Sequence, residues 1–164
     1  MDPDLKFKIR KLTLSDIKEV YNLLAANRPY VGLNSRYTYL LLAKDFSNTC
    51  LVAEHDKKVI AFSSGYIPPV RPDTFFSWEI VVHKDYRGNG LQLSLLRKQI
   101  KMTGAKFFEG TVNPSNEFCK ANFEKLAKSL GAKLKREILF SKEDFENDGH
   151  EEEVLYRIGP INFP

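Results

Sequence analysis

A mainly apolar run, Phe75 to Val82, constrains the fold most strongly, because it leads through a glycine-containing loop directly into an amphipathic segment. A run of this length and composition predicts a strand buried in the middle of a sheet. The loop, Tyr86 to Gly90, precedes apolar residues at helical spacing: Leu91, Leu95, Leu96 and Ile100. Backbone N–H groups converge at a strand-to-helix turn, and the helix N-terminus adds partial positive charge, so this loop suits a bound pyrophosphate.

The rest of the chain predicts strands and helices around one central sheet, in the order β-α-α-β-β-β-α-β-α-β-β. Ser15 and Ser35 are predicted to cap the first two helices. A later helix is predicted from Ser115 or Asn116 to about Leu130. Six strands are predicted besides the central one, over Leu5–Leu12, Cys50–Glu54, Val59–Tyr66, Lys106–Val112, Leu134–Phe140 and Glu153–Ile158. A chain of 164 residues with 43% hydrophobic content has room for one core, so we predict a single domain over residues 1–164.

Charge and cysteine usage argue against several classes of protein. The net charge of +4 comes from 25 basic and 21 acidic residues, without the basic block that marks a nucleic-acid arm. Cys50 and Cys119 have no second cysteine at metal-ligand spacing, and neither His55 nor His83 has ligand partners, so no metal site is predicted. No segment approaches the roughly 18 apolar residues that span a bilayer, and the N-terminus lacks an apolar signal region. We therefore expect a cytoplasmic protein with an anionic small-molecule ligand and no nucleic-acid or membrane partner.

The loop after the central strand matches one phosphate-binding pattern and fails two others. A dinucleotide-binding loop needs a third glycine and an acidic residue about 20 positions on, and a Walker loop needs Gly-Lys-Ser/Thr. An ordinary connection with turn glycines is the structural alternative. The loop resembles the acetyl-CoA loop of the GNAT superfamily, which is Gln or Arg, two residues, Gly, one residue, then Gly or Ala. Arg87 and Gly90 match this pattern, whereas Gln92 stands where the family has Gly or Ala.

This resemblance implies the GNAT acetyltransferase fold, an α/β domain with a mixed, mostly antiparallel central sheet flanked by helices, and acetyl-CoA as the cosubstrate. Asn116 and Phe123 match a second cofactor element of the family. The family commonly has a Tyr at the second of these positions, as the acid that protonates the leaving thiolate. The implied cofactor contacts are Ile80, Val81, Val82, Arg87, Gly88, Asn89, Gly90, Leu91, Gln92, Asn116 and Phe123.

Four stretches are similar to the diaminobutyrate acetyltransferases of ectoine biosynthesis: Leu33–Leu42, Gly65–Thr74, Trp78–His83 and His150–Gly159. The similarity implies a homodimer that acetylates the side-chain amine of L-2,4-diaminobutyrate. The implied substrate contacts are Asn34, Tyr37, Trp78, His150 and Glu153, with Ser35 shaping the same pocket. Gly32 stands where these enzymes have an Asp that holds the diamine, so another diamine or amino acid stays open as the acceptor.

Glu79 and Glu153 are the candidate catalytic bases. An alkylammonium with a pKa near 10.4 must lose a proton before it attacks a thioester, which costs roughly 4 to 5 kcal/mol at pH 7. A buried carboxylate can accept this proton directly or through water. Strand alternation places Glu79 on the face opposite Trp78 and Ile80. The structural alternatives are an ion-paired strand carboxylate at Glu79 and core packing at Trp78. Because the family's acidic Tyr is missing, a non-catalytic acyl-CoA-binding module is the alternative to an enzyme.

Overall fold

The structure is a computed structural model that describes residues 5–162. Within that range the strands are β1 (Lys8–Lys11), β2 (Leu51–His55), β3 (Lys58–Tyr66), β4 (Thr74–Val82), β5 (Phe107–Val112), β6 (Leu134–Phe140) and β7 (Glu153–Ile158). The α-helices are α1 (Ile17–Ala25), α2 (Arg36–Asp45), α3 (Leu91–Thr103) and α4 (Glu117–Ser129). The sheet order is β1-β2-β3-β4-β5-β7-β6, with β4 and β5 parallel and the β1–β2, β2–β3, β5–β7 and β6–β7 pairs antiparallel. The predicted α/β class with a mostly antiparallel sheet is confirmed.

The described chain divides into two compact units. The first contains residues 5–66 and 78–103, and the second contains residues 67–77 and 104–162. The expectation of a single domain over residues 1–164 stays a prediction. Between residues 5 and 162, none of the helices combines the length and the apolar character that crossing a membrane requires.

Two apolar clusters form the core of the first unit. One joins α1 and α2 to the strands and includes Val20, Leu24, Tyr39, Val52, Phe62 and Val81. The other joins α3 to the strands and includes Leu51, Ala53, Ile60, Leu91 and Leu95. Successive residues of β2 enter different clusters because side chains alternate across a strand. Burial on both faces explains why these strands are apolar throughout instead of alternating with polar residues.

Strand β4 follows the same alternation at its C-terminal end. Glu79 and Val81 are buried, and Val81 belongs to the cluster of α1 and α2. Ile80 and Val82 pack against the cluster of α3, and the side chain of Trp78 is 45% exposed. The predicted placement of Glu79 on the face opposite Trp78 and Ile80 is therefore confirmed.

The first two helices differ in how well the sequence predicted their caps. Asp16 Oδ2 accepts hydrogen bonds from the backbone N–H (2.9 Å) and the hydroxyl (2.8 Å) of Thr13. The predicted cap at Ser15 is wrong, because Thr13 and Asp16 form a capping box that begins a short 3₁₀ turn, Leu14–Asp16, and α1 follows this turn from Ile17. The predicted cap at Ser35 is confirmed, since its Oγ accepts a hydrogen bond from the N–H of Thr38 at 3.3 Å.

The predicted hairpin between β2 and β3 is also confirmed. It turns through Asp56 and Lys57, whose φ angles are 47° and 63°. Two successive left-handed residues are typical of the type I′ turn, whose twist matches that of the flanking strands. Left-handed backbone costs a residue with a Cβ about 1 to 2 kcal/mol, and neither turn residue is a glycine.

An aromatic group fills the core of the second unit. The ring of Phe123 on α4 packs edge-on against Phe108 of β5 at 5.1 Å and Tyr156 of β7 at 5.7 Å between centroids. Gly110 makes this possible, because a Cβ at that position would lie 2.8 Å from Phe123 Cζ. The glycine therefore lets α4 approach β5 closely.

A buried carboxylate on β5 organises the charges of the second unit. Glu109 Oε2 accepts a hydrogen bond from Arg71 Nη2 at 3.0 Å, and its Oε1 accepts one from Arg157 Nη1. A buried charge requires such partners. Arg71 lies in the stretch Gly65–Thr74, which is similar to the diaminobutyrate acetyltransferases, and its contact with Glu109 gives it a structural role.

Strand β6 lies at the end of the strand order and is exposed along its length. Three consecutive apolar residues, Ile138, Leu139 and Phe140, are 59%, 38% and 47% exposed. Strand β7 pairs with one side of β6, which leaves β6 as an edge strand with main-chain groups available for pairing.

Candidate active site

Glu79 places a carboxylate inside the first unit. The residue is 8% exposed, and its Oε1 accepts hydrogen bonds from Asn34 Nδ2 at 2.9 Å and from the Tyr39 hydroxyl at 3.2 Å. Its Oε2 is buried and has no hydrogen-bond partner among residues 5–162. Burial raises the pKa of Glu79 to about 7, and the two hydrogen bonds oppose this rise only in part. A carboxylate that titrates near neutral pH and keeps one oxygen unengaged can serve as a proton acceptor.

Tyr39 connects Glu79 to the segment before α2. The backbone N–H of Asn34 donates to the Tyr39 hydroxyl oxygen at 3.1 Å, and that hydroxyl donates to Glu79. Burial raises the pKa of Tyr39 to about 12, so the hydroxyl keeps its proton at neutral pH. Tyr37, which the sequence analysis assigned to the substrate pocket, is 69% exposed on the same helix. Of the two tyrosines, Tyr39 is the one that contacts Glu79.

The loop before α3 leaves its backbone uncovered. Gly88 and Gly90 have φ angles of +80° and +73°, which only glycine adopts without strain. A Cβ at either position would meet nothing within 4 Å, so the space beside the loop is open. The Ser94 N–H closes the first helical turn onto the Gly90 carbonyl at 3.0 Å, and the amides before it have no acceptor inside the helix. An open backbone at a helix N-terminus fits the diphosphate of coenzyme A.

Arg87 anchors this loop to the rest of the first unit. Its guanidinium donates to the Val82 carbonyl at 3.3 Å through Nε and to Asn27 Oδ1 through Nη2. Asn27 is buried after the end of α1, and its Nδ2 donates to the Leu23 carbonyl at 2.7 Å. Arg87 therefore positions the loop through these contacts. Its guanidinium also adds positive charge to the loop.

A polar cluster lies in the second unit where β7 begins. Glu153 Oε1 accepts a hydrogen bond from Asn113 Nδ2 at 3.0 Å and lies 3.8 Å from His150 Nε2. The ring of His150 stacks on Phe145 with 4.1 Å between centroids. Two residues predicted to contact the substrate, His150 and Glu153, are thus neighbours, and Asn113 joins them.

The two residues of the predicted second cofactor element lie on α4. Asn116 caps the helix, because its Oδ1 accepts a hydrogen bond from the Cys119 N–H at 3.0 Å. Phe123 is 3% exposed within the aromatic core. Contacts of either residue with coenzyme A stay a prediction.

Comparison with known proteins decides the family. The family model described as "Acetyltransferase (GNAT) family" matches residues 17–126. The chain belongs to the GNAT acetyltransferase family. GNAT enzymes use acetyl-CoA, which agrees with the open backbone before α3.

Individual relatives of this GNAT protein share one name. The L-2,4-diaminobutyric acid acetyltransferase of Shouchella clausii is 36% identical over 156 residues, which are 93% of this chain and 86% of that protein. The enzyme of the same name from Virgibacillus pantothenticus is 39% identical over 80% of this chain and 84% of its own length. A solved structure of diaminobutyrate acetyltransferase EctA from Paenibacillus lautus, in complex with its substrate L-2,4-diaminobutyric acid and coenzyme A, has a TM-score of 0.88. It is 30% identical, and the match covers 97% of this chain and 98% of that one.

Sequence patterns did not predict three residues of the candidate site of this GNAT protein: Asn27, Tyr39 and Asn113. Helical spacing does not distinguish Tyr39 from Tyr37, because apolar residues follow both at three and four positions: Leu40 and Leu41 follow Tyr37, and Leu42 and Ala43 follow Tyr39. The partners of Asn27 and Asn113 lie 60 and 40 positions away, and local patterns do not show contacts of that range. Within the described part of the chain, no group of three or more His, Cys, Asp or Glu side chains could hold a metal ion.

Proposed function

We propose that the protein transfers the acetyl group of acetyl-CoA to the 4-amino group of L-2,4-diaminobutyrate, giving N4-acetyl-diaminobutyrate for ectoine biosynthesis. The observation that carries this proposal is the match to EctA, which was solved with that diamine and coenzyme A and covers 97% of this chain. The shared name of the relatives supports the same acceptor.

Glu79 is the proposed base. Acetyl-CoA supplies an activated thioester carbonyl, and the chain must supply a neutral amine. The ionised Glu79 side chain accepts the ammonium proton, and its pKa of about 7 leaves a substantial fraction ionised at neutral pH. Strand N–H groups near Val81 and Val82 polarise the thioester carbonyl as negative charge develops on its oxygen. Of the two protons on the attacking nitrogen, one then leaves and the other stays as the amide N–H, and the thiolate of coenzyme A takes up a proton.

Glu153 and His150 are the proposed anchors of the acceptor. The carboxylate of Glu153 is half-buried and held by Asn113, so it offers a fixed negative charge to a substrate ammonium group. Trp78, half-exposed on β4, and Asn34, beside Glu79, complete the proposed set of substrate contacts.

Turnover with defined amines tests the function. The purified protein is mixed with acetyl-CoA and either diaminobutyrate, ornithine, lysine or a peptide, and thiol release is followed. We expect the highest kcat/KM with diaminobutyrate, a product acetylated at N4 by NMR, and a kcat that falls about 10²- to 10⁴-fold in Glu79→Gln. Coenzyme A binding without turnover would instead support a non-catalytic acyl-CoA-binding module.

A second candidate function is that of a GNAT enzyme for another small amine or amino acid. It is favoured by Gly32, which stands where the diaminobutyrate acetyltransferases have an Asp that holds the diamine. A Cβ at Gly32 would meet nothing within 4 Å, so the missing carboxylate can be restored without collision. If diaminobutyrate is the acceptor, Gly32→Asp should lower KM for this diamine and Gly32→Asn should not. A clear preference for ornithine or lysine in the wild type would favour the second candidate.

A homodimer in the cytoplasm is part of the proposal. The exposed apolar residues of β6 offer a surface for a second copy. Cys50 is a free thiol, which agrees with a reducing compartment.

A further inference from the structure

Two buried side-chain oxygens have no hydrogen-bond partner within residues 5–162: Ser64 Oγ and Glu79 Oε2. Ser64 lies on β3 and is 0% exposed. Burying such a group without a partner costs about 1 to 3 kcal/mol, and native proteins satisfy nearly all of them. A further hydrogen-bonding group at these two atoms would remove that cost.

A backbone hydrogen bond joins the neighbouring strands β3 and β4. The N–H of His83, the residue after β4, donates to the carbonyl of Ile60 near the start of β3 at 2.8 Å. These strands are neighbours in the sheet and run in opposite directions, because the end of one meets the start of the other. Phe62, two residues before Ser64, and Val81, two residues after Glu79, both belong to the cluster of α1 and α2. Because side chains alternate across a strand, Ser64 and Glu79 lie on the face of that cluster.

Ser64 and Glu79 therefore lie on the same face of two neighbouring strands, the face that carries Phe62 and Val81. On one face of an antiparallel pair, side chains that are directly or diagonally across from each other, with Cα atoms up to about 7 to 8 Å apart, can interact. The two side chains nevertheless make no hydrogen bond to each other, since both oxygens lack any partner in the described chain. A small hydrogen-bonding group between the two oxygens would satisfy both.

Glu79 is the group at this place that changes charge near neutral pH. Tyr39 on α2 and Cys50 before β2 interact with it electrostatically. Burial raises the pKa of Tyr39 to about 12 and the pKa of Cys50 to about 11, so both keep their protons when Glu79 titrates.

We propose that Ser64 is a positioning residue for proton transfer: its hydroxyl and Glu79 Oε2 bind one water molecule between them, and this water passes the substrate proton to the carboxylate. The proposal rests on the acetyltransferase function proposed above. In this step one N–H bond of the ammonium breaks, and the water accepts that proton while giving one of its own to Glu79 Oε2. The nitrogen keeps the electron pair for attack on the thioester, and Ser64 ends the step unchanged.

Ser64→Ala tests the proposal through kinetics. With the best acceptor, we expect kcat to fall about tenfold, the size of one hydrogen bond, while KM for acetyl-CoA stays unchanged. The apparent pKa of the kcat/KM profile should move upward, because the ionised Glu79 loses a hydrogen-bonded water. Ser64→Thr restores a hydroxyl and should recover part of kcat. In a Glu79→Gln background, Ser64→Ala should have no further effect on kcat.

Ser63→Ala is the matched control. Ser63 is the preceding residue on β3, is equally buried, and donates through Oγ to Gln99 Oε1 at 2.8 Å. Its replacement should lower the melting temperature and leave the pH profile in place. An unchanged kcat and pH profile in folded Ser64→Ala would overturn the proposal, as would an equal loss of kcat in the Glu79→Gln background.

A titration separates this proposal from the proposed function. If no amine is acetylated, the function fails, but the pKa of Glu79 can still be followed by NMR in protein with ¹³C-labelled carboxyl groups. Ser64→Ala should raise that pKa and Ser63→Ala should not. An equal pKa in wild type and Ser64→Ala would overturn the role of Ser64. If Ser64→Ala does not fold, Ser64→Cys replaces it, because a thiol is similar in shape to the hydroxyl and forms a weaker hydrogen bond. Ser64→Cys should raise the pKa of Glu79 by a smaller amount than Ser64→Ala. An unchanged pKa in Ser64→Cys would again overturn the role of Ser64.

Discussion

The carboxylate of Glu79 makes the stability of the protein depend on pH. Burial raises its pKa from 4.5 to about 7, so between these values the folded chain binds more protons than the unfolded chain. The free energy of unfolding therefore falls as pH rises through this window and stays lower above it. Because Gln cannot ionise, Glu79→Gln is expected to be more stable than the wild type above pH 7 by up to about 3 kcal/mol. Melting temperatures from pH 4 to 9 check this, and a difference that does not vary with pH would contradict it.

Position 123 gives a second prediction for a single residue. Phe123→Tyr would restore the hydroxyl that the GNAT family commonly has, but the ring is 3% exposed and lies against Gly110. The added oxygen should cost about 1 to 3 kcal/mol of stability through crowding and burial, with no gain in kcat. Phe118→Tyr, on the exposed face of the same helix, is the control and should leave the melting temperature unchanged. A stable Phe123→Tyr enzyme with higher kcat would show that the position still serves as an acid.

The loop before α3 gives a prediction at the scale of a structural element. Gly90→Glu places a side chain on a left-handed residue and a negative charge beside the expected diphosphate. We expect binding of coenzyme A to weaken at least about 100-fold by calorimetry, which is about 2.7 kcal/mol. Gly104→Glu, at a left-handed glycine just after α3, adds the same charge and similar strain there and should leave coenzyme A binding intact. Equal affinities in both variants would contradict the placement of the diphosphate.

Element positions were predictable from the sequence wherever local patterns determine them. The bounds of β6 and β7 agree with the prediction, because turn residues and a glycine flank both strands. The cap before α1 was misplaced, since Thr13 and Ser15 are both good caps and only the contact of Thr13 with Asp16 distinguishes them. The site was less predictable. Strand alternation placed Glu79 correctly, but its donor Tyr39 lies 40 residues away, and only the folded chain shows that contact.

At the scale of the whole molecule, the edge strand β6 predicts how two copies associate. Paired β6 strands would cover Ile138 and Phe140, which are 59% and 47% exposed. If the proposed homodimer uses this edge, Ile138→Lys with Phe140→Lys should shift the protein to a monomer in sedimentation. Phe118→Lys, which replaces an apolar side chain that is 67% exposed on α4, should leave the dimer intact. A dimer that survives the double substitution must use another surface.

The left-handed turn between β2 and β3 offers a way to raise the stability of the fold. Lys57 has a φ of 63° and an exposed side chain, so Lys57→Gly should relieve backbone strain and raise the free energy of unfolding by about 0.5 to 1 kcal/mol. Chemical denaturation checks this value, and a loss of stability would contradict it. Seven residues of an extended strand, about 23 Å, separate this turn from Ser64. Stabilised variants can begin at this hairpin with coenzyme A binding as their control, because His55 beside the turn packs against Tyr86 of the loop Tyr86–Gly90 at 5.5 Å between ring centroids.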